Sequence, residues 1–337
     1  LSRRRPTRIV RSVSDFAPDS RPDLGRVLVA GAGALGSVTG GLLAHAGHDV
    51  TLLGRRPHLD AIGAGGLLVD GIFGTHRVRG LACATDLDAL RGPYATVLLT
   101  VKAYDTAAMV AAVAPHLAAD GVLVSMQNGL GNVEAAADVV GPSRVLGARV
   151  IFGSEVLEPA HVRVTVIADP VVVGSPDPRD AARAAAARRL AAALAGAGVP
   201  AEATDGVLAA LWAKVFYNAA LNPLGALLGR TYGELAADAE TRAVMDDAIA
   251  EAFAVARAEG VALRWPDADA YRREFYERLV PSTAGHRSSM LQDIERGRRT
   301  EIDAINGQVA ARAAARGLAA PVNATLARLV RARSGSR

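Results

Sequence analysis

Lys214, Asn218 and Asn222 stand four residues apart, twice over, in the otherwise apolar stretch LAALWAKVFYNAALNPLGALL over 208–228. On a helix, four-residue spacing stacks side chains on one face, each step adding about 6 Å of rise. One amine and two amides therefore share a single stripe of a helix built for burial. A lysine is seldom fully buried without a partner, and the wet side of a surface helix usually carries several charges. The stripe thus predicts the wall of a polar cleft. An ammonium there can stabilise negative charge growing on a carbonyl oxygen and hand it a proton. The amides can bind hydroxyl or carboxylate without adding charge. Burial would lower the lysine pKa and Glu301 would raise it; the sequence leaves that balance open. The stretch is long enough to span a bilayer, but a central lysine, two asparagines and Pro223 make it an expensive span.

A second polar constellation lies in SSMLQDIERGRRTEIDAING, over 288–307. Ser289 with Gln292 and Thr300 with Asp303 each fit a helix-start pattern, and Gly297 between them should end the first helix. On one continuous helix Ser289 and Glu301 would lie about 18 Å apart, too far to share a small substrate. Two helices meeting at an angle can turn both toward Lys214. Ser289 is expected to cap its helix and, at that N-terminus, to suit a carboxylate. Glu301 is expected in the first turn of the next helix, where the dipole favours an acid.

These groups need a scaffold, and the chain supplies a nucleotide-binding one. Arg26–Ala30 reads as a buried strand, followed by Gly31-Ala32-Gly33-Ala34-Leu35-Gly36, a helix to about Gly47 and a second strand to Leu53. G-x-G-x-x-G between a strand and a helix is the fingerprint of a dinucleotide turn: tight bend, close pyrophosphate, close helix–strand packing. At the tip of the second strand, where NAD enzymes place a carboxylate for the ribose 2′-hydroxyl, the chain has Leu53-Gly54-Arg55-Arg56. A guanidinium suits the bidentate grip of a phosphate, so NADP is expected, held by Arg55 in the first instance and Arg56 in the second. Lys102, after VLLTV, and Asn128, in SMQNGLG, fall at strand ends on the carboxyl edge, where open α/β sheets bind ligands.

Further apolar runs at 96–101, 122–126, 145–148 and 162–173 supply strands, with Ala-rich helical patterns between several of them. This implies a mostly parallel sheet with helices on both faces. After about Thr204 strand signals vanish and helical patterns run on to Leu329. The expected architecture is a Rossmann-type NADP-binding domain over 26–203 followed by an all-helical substrate domain over 204–331. Residues 1–25 read as a disordered basic tail without a signal-peptide core. Half of the 337 residues are hydrophobic, enough for a substantial core, and the net charge of +4 is too mild to suggest nucleic acid. Cys83 is the only cysteine, which suits a reducing compartment, hence the cytoplasm. The seven histidines are scattered with no ligand-spaced partners, so no metal is expected.

GAGALG, VKAYDT, SMQNGLG, WAKVFYNAALNPL, YGEL and SSMLQDIERGRRTEID, in this order and spacing, resemble the ketopantoate reductase (2-dehydropantoate 2-reductase) family over roughly residues 26–331. The resemblance implies two domains, NADPH, and reduction of a 2-keto acid, ketopantoate or a close relative, in the cleft between them, as in pantothenate biosynthesis. It implies Lys214 as proton donor, Asn218, Asn222 and Ser289 as substrate ligands, and Glu301 in contact with cofactor and lysine. It also implies Asn128 and Gly153 against NADPH. A homodimer is a possible assembly; no membrane or nucleic-acid partner is expected. One position departs from the pattern: Tyr232 stands where well-studied members have an asparagine in the substrate pocket. Its hydroxyl could still bind substrate, or its ring could recut the pocket for another keto acid, because a site built on hydrogen bonds discriminates by them. The alternatives are a relative acting on a different keto acid, a β-hydroxyacid or imine dehydrogenase of similar architecture, and a dinucleotide-binding sensor without turnover.

Overall fold

The computed structural model of the protein describes residues 22–335, so the tail expected over 1–25 lies outside them as far as residue 21. The first half alternates strands and helices. These are β1 (Val27–Ala30), α1 (Ala34–His45), β2 (Val50–Leu53), α2 (Arg56–Gly65), β3 (Leu67–Gly71), β4 (His76–Val78), β5 (Ala82–Ala84), β6 (Tyr94–Leu99), α3 (Thr106–Val113), β7 (Leu117–Ser125), α4 (Asn132–Val140), β8 (Val145–Arg149), β9 (Phe152–Glu158), β10 (His161–Ile167), β11 (Val171–Gly174), α5 (Ala181–Gly196) and β12 (Ala201–Thr204). The second half is helical: α6 (Val207–Leu228), α7 (Tyr232–Ala237), α8 (Ala239–Ala258), α9 (Ala268–Glu274), α10 (Ser289–Glu295), α11 (Gln308–Ala315) and α12 (Pro321–Gly335).

Eight strands form one sheet in the order β12-β11-β8-β7-β6-β1-β2-β5, parallel at every pairing except β8 with β11. β1 is wholly apolar and wholly buried, as a central strand covered on both faces must be. The chain runs outward from β1 through β2 to β5, then returns to the other side of β1 at β6. The gap above the carboxyl ends of β1 and β6 is therefore a topological switch point, the crevice in which such sheets take their ligands. A smaller four-stranded sheet, β4-β3-β10-β9, was not foreseen as a unit. The apolar run 162–173 breaks at Pro170 and contributes β10 to the small sheet and β11 to the large one. Val38, Leu42 and Leu43 of α1 share one core with Val29 and Leu52 of the large sheet and Leu67 and Val164 of the small one.

α6 is the central post of the helical half, packed against α8, α10, α12 and strand β8 of the large sheet. Pro223 lies inside it and has no N–H to give to the carbonyl four residues back. Asn306 makes good the loss: its Nδ2 donates to the Ala219 carbonyl at 2.9 Å and to Asn323 Oδ1 at 2.9 Å, with Asn306 and Asn323 both fully buried. Asn306 sits in a π-helical turn, Asp303–Gly307, that precedes α11. Asn306→Ala leaves these two buried acceptors short of a donor and is expected to cost about 1–3 kcal/mol, read as a lower urea midpoint at unchanged slope. No helix among the described residues is long and apolar enough to cross a membrane.

Candidate active site

One large cleft is lined both by residues at the carboxyl edge of the main sheet and by residues of α6, α7, α10 and the 301–307 segment. On the sheet side, Gly31 turns the chain at φ +118°, and a Cβ there would meet the Val101 nitrogen at 2.7 Å. Thr100 Oγ1 clamps the turn by donating to the Gly31 carbonyl at 2.8 Å. Gly33 differs: a Cβ built on it meets nothing within 4 Å, and it caps α1 without any side chain in the way. The bare backbone at the start of a helix, facing an open cleft, fits a dinucleotide pyrophosphate. Ala32, Ala34 and Leu35 line the same stretch of wall, and Gly36 packs inside it against the Gly31 carbonyl.

Arg55 is the N-cap residue of α2, exposed, lines the cleft, and has no ion-pair partner among the described residues. Arg56 is exposed but does not line it. Beneath them, His58 bridges α2 to α1 and to the β9–β10 turn: its Nε2 bonds Ser37 Oγ at 2.9 Å, and its Nδ1 accepts from the Ala160 amide at 3.2 Å. With Nδ1 accepting, Nε2 is the protonated nitrogen, and burial lowers the ring's pKa. Gly153, on β9, also lines the cleft, opposite Val166 of β10.

On the helical side, Lys214, Asn218 and Asn222 all line the cleft, as the four-residue spacing requires. Tyr217, three residues on from Lys214, shares their face. The Lys214 ammonium donates to the Val150 carbonyl. Its pKa is pushed down to about 8, first by burial, with the neighbouring Arg149 adding to the effect and Glu301 opposing it through space. Burial therefore wins the balance that the sequence left open. Asn218 and Asn222 are buried.

Glu301 is not paired with Lys214. Its carboxylate reaches across the cleft, accepting from the Ala103 amide at 3.0 Å, Asn128 Nδ2 at 3.4 Å and Lys102 Nζ at 3.4 Å. Lys102 makes its closer contact with Asp293, at 2.7 Å. Burial alone would lower the Lys102 pKa, but the two carboxylates outweigh it and raise it above the ordinary lysine value. Asp293 had no place among the expected site residues. The signal for it was an acid four residues after Ser289, the same i, i+4 rule that gave the Lys–Asn–Asn stripe.

Two expected caps differ in the structure. Ser288, not Ser289, caps α10: its Oγ accepts from the Leu291 amide at 3.0 Å and donates to the Asn222 carbonyl at 3.3 Å. The neighbouring serine is thereby docked on α6, and Ser289 is left exposed at the first helical position, lining the cleft. Gly297, at φ +65°, ends this helix as expected. Thr300 is buried and caps nothing among the described residues, since regular structure resumes only at Asp303. Glu301 consequently precedes the turn instead of lying in it, and its carboxylate is spent on the opposite wall. Tyr232, at the start of α7, is buried, and its hydroxyl donates to Asn222 Oδ1 at 2.7 Å.

Comparison with known proteins agrees with this architecture. Residues 27–178 match the family described as "Ketopantoate reductase PanE/ApbA", and residues 207–334 match "Ketopantoate reductase PanE/ApbA C terminal". The 2-dehydropantoate 2-reductase of Aquifex aeolicus (strain VF5) is 36% identical over 308 residues, covering 91% of this chain and 96% of the relative. That of Halobacterium salinarum is 35% identical over 91% of this chain and 98% of the relative. A crystal structure of a PanE/ApbA family ketopantoate reductase from Ralstonia eutropha JMP134 superposes with a TM-score of 0.81 at 37% identity, over 92% of this chain and 99% of the other. The mixed α/β half and the helical half are thus those of a known group of enzymes, and the chain belongs to the ketopantoate reductase family of oxidoreductases.

Proposed function

We propose that the protein reduces a 2-keto acid to the corresponding 2-hydroxy acid with NADPH, with Lys214 as the proton donor. The observation that carries this reading is the Lys214 ammonium in the same cleft as the glycine turn, its pKa lowered to about 8 by burial. It is charged at neutral pH, yet it releases its proton far more readily than an ordinary lysine. When bound, the nicotinamide supplies the hydride that attacks the carbonyl carbon. The carbonyl oxygen then gains negative charge and takes the proton from Lys214 Nζ, a contribution typically worth roughly 10²–10⁴-fold. Asn218, Asn222 and Ser289 offer hydrogen bonds to the carboxylate and side chain of the substrate, and Tyr232 bounds the same space. Glu301 keeps the lysine's proton affinity from falling further and fixes Lys102. Lys102, Asn128 and Gly153 border the cofactor beside Gly31–Gly36. The names of the relatives make 2-dehydropantoate the first keto acid to test, in a reducing, cytoplasmic setting.

The test is to mix the purified protein with NADPH and a panel of 2-keto acids and to follow the nicotinamide absorbance. Oxidation with at least one acid is expected; NADPH binding with no turnover on any of them overturns the reading. The cofactor preference has its own variant. Arg55 is proposed to hold the 2′-phosphate, and charge-assisted bonds of this kind are worth about 1.5–3 kcal/mol. Arg55→Ala should therefore raise the Kd for NADPH roughly 10- to 100-fold and leave that for NADH nearly unchanged. Equal losses for both cofactors contradict the assignment.

A further inference from the structure

Lys102 and Lys214 are the only lysines in the chain, and both line the cleft. On the sheet side, the side chain that meets Lys214 is an arginine. Arg149 ends β8 and stands immediately before Val150, whose carbonyl accepts from the Lys214 ammonium. Side chains alternate along a strand, so Arg149 shares a face with Gly147. That face is the one α6 covers: a Cβ on Gly147 would meet Val207 Cγ2 at 3.3 Å and Leu211 Cδ1 at 3.4 Å. Val207, Leu211 and Lys214 follow one another at i, i+4 and i+7 along the helix, in one stripe. The next residue of the strand face is Arg149 and the next of the helix stripe is Lys214, and both line the cleft.

The Arg149 side chain is only 14% exposed. Its Nη1 lies 3.4 Å from Asp169 Oδ2, and its Nη2 donates to the Pro170 carbonyl at 3.2 Å. Both partners lead into β11, which pairs with β8 and sets Val172 beside Arg149. Its buried Nε has no partner among the described residues, and a buried donor left unpaired costs stability. The guanidinium is thus held beside Lys214 by strand pairing, at a cost that its own bonds only partly offset. Burial works against its charge, Asp169 and Glu202 favour it, and Arg264 and Arg278 oppose it. An arginine nevertheless keeps its charge at any pH at which a lysine titrates.

Resting on the proposed role of Lys214 as proton donor, we infer that Arg149 is a positioning residue for the reduction, a fixed cation on the α6 face of β8 that acts through Lys214 and readies its proton for the substrate oxygen. A second positive charge beside an ammonium favours the neutral amine. Burial is the first cause of the lowered Lys214 pKa, Glu301 opposes it across the cleft, and Arg149 adds to the lowering. The push is constant over the range in which Lys214 titrates, because the guanidinium does not titrate there. A donor that holds its proton less tightly, yet is still charged at neutral pH, transfers it more readily.

The experiment reads Lys214 both directly and through turnover. NMR of protein isotope-labelled at the lysine Cε should show two side-chain signals, and Lys102→Arg leaves that of Lys214. Arg149→Met should raise the Lys214 titration midpoint by roughly half to one pH unit. Asp169→Asn in the same chain removes the carboxylate left without its partner, so that the shift reports the lost cation alone. The basic limb of kcat/KM, measured with a 2-keto acid the protein accepts, should move up by the same amount. Arg149→Lys keeps a cation and should leave that limb where the parent has it. Arg149→Gln, polar and uncharged, stands in should the methionine variant fail to fold. A midpoint unmoved by loss of the cation, or a limb moved as far by Arg149→Lys, overturns the inference. A midpoint that moves while the rate profile does not sustains the coupling of Arg149 to Lys214 and overturns the proton-donor reading instead.

Discussion

Lys214→Ala is expected to lower kcat for keto-acid reduction by roughly 10²–10⁴-fold while NADPH affinity stays within a few-fold. The size follows from the role proposed for the group. Negative charge appears on the carbonyl oxygen only as hydride arrives, so a donor placed beside that oxygen acts on the transition state and much less on bound cofactor. Stability should not suffer in proportion. The ammonium is partly desolvated, which is what pushes its pKa down to about 8, and removing a partly desolvated charge offsets some of the loss of its bond to the Val150 carbonyl. A variant that folds, binds NADPH and turns over at the parental rate would remove Lys214 from the chemistry altogether.

The second large effect is expected from Gly33→Val. A Cβ at this position meets no protein atom within 4 Å, so the variant should fold, with only the small loss of thermal midpoint that a poorer helix cap brings. The added side chain points into the open cleft, where the proposed pyrophosphate site meets the backbone at the start of α1. Losing two such backbone donors, each bond to a charged group being worth about 1.5–3 kcal/mol, raises the Kd for NADPH by on the order of 100-fold or more. Fluorescence titration of the reduced cofactor reads this directly. Undiminished binding would mean that the glycine turn does not carry the cofactor.

The parts of the molecule that could be read from the sequence are those governed by local rules. Val27–Ala30, its glycine run and α1 declare themselves because a buried strand, a tight turn and a helix start follow one another within a few residues. The Lys214–Asn218–Asn222 face follows from helical periodicity alone, and Gly297 ends α10 because a residue at positive φ favours glycine. What could not be read depends on partners distant in sequence. β3, β4 and β9 are half-exposed and carry polar residues such as Asp70, His76 and Glu155, and they become strands only because β10 returns to pair with β3 and β9. Whether Glu301 answers Lys214 or Lys102 is likewise set by how the 301–307 segment docks on the loop after β7, where the Leu130 amide donates to the Ala304 carbonyl at 2.8 Å. Ser288 and Ser289 both fit a cap by type, and only the bond from Ser288 to the Asn222 carbonyl decides between them.

The pH dependence of kcat/KM, followed by NADPH oxidation with a 2-keto acid that the protein accepts, tests the central claim most directly. The donor must carry its proton, so the rate should be level on the acid side and fall as pH rises through the lysine's pKa of about 8, approaching a tenfold loss per pH unit. Ordinary lysines would hold the rate to beyond pH 10. A profile level from pH 7 to 10, or one that climbs as the lysine loses its proton, would contradict the assignment of Lys214 as the acid.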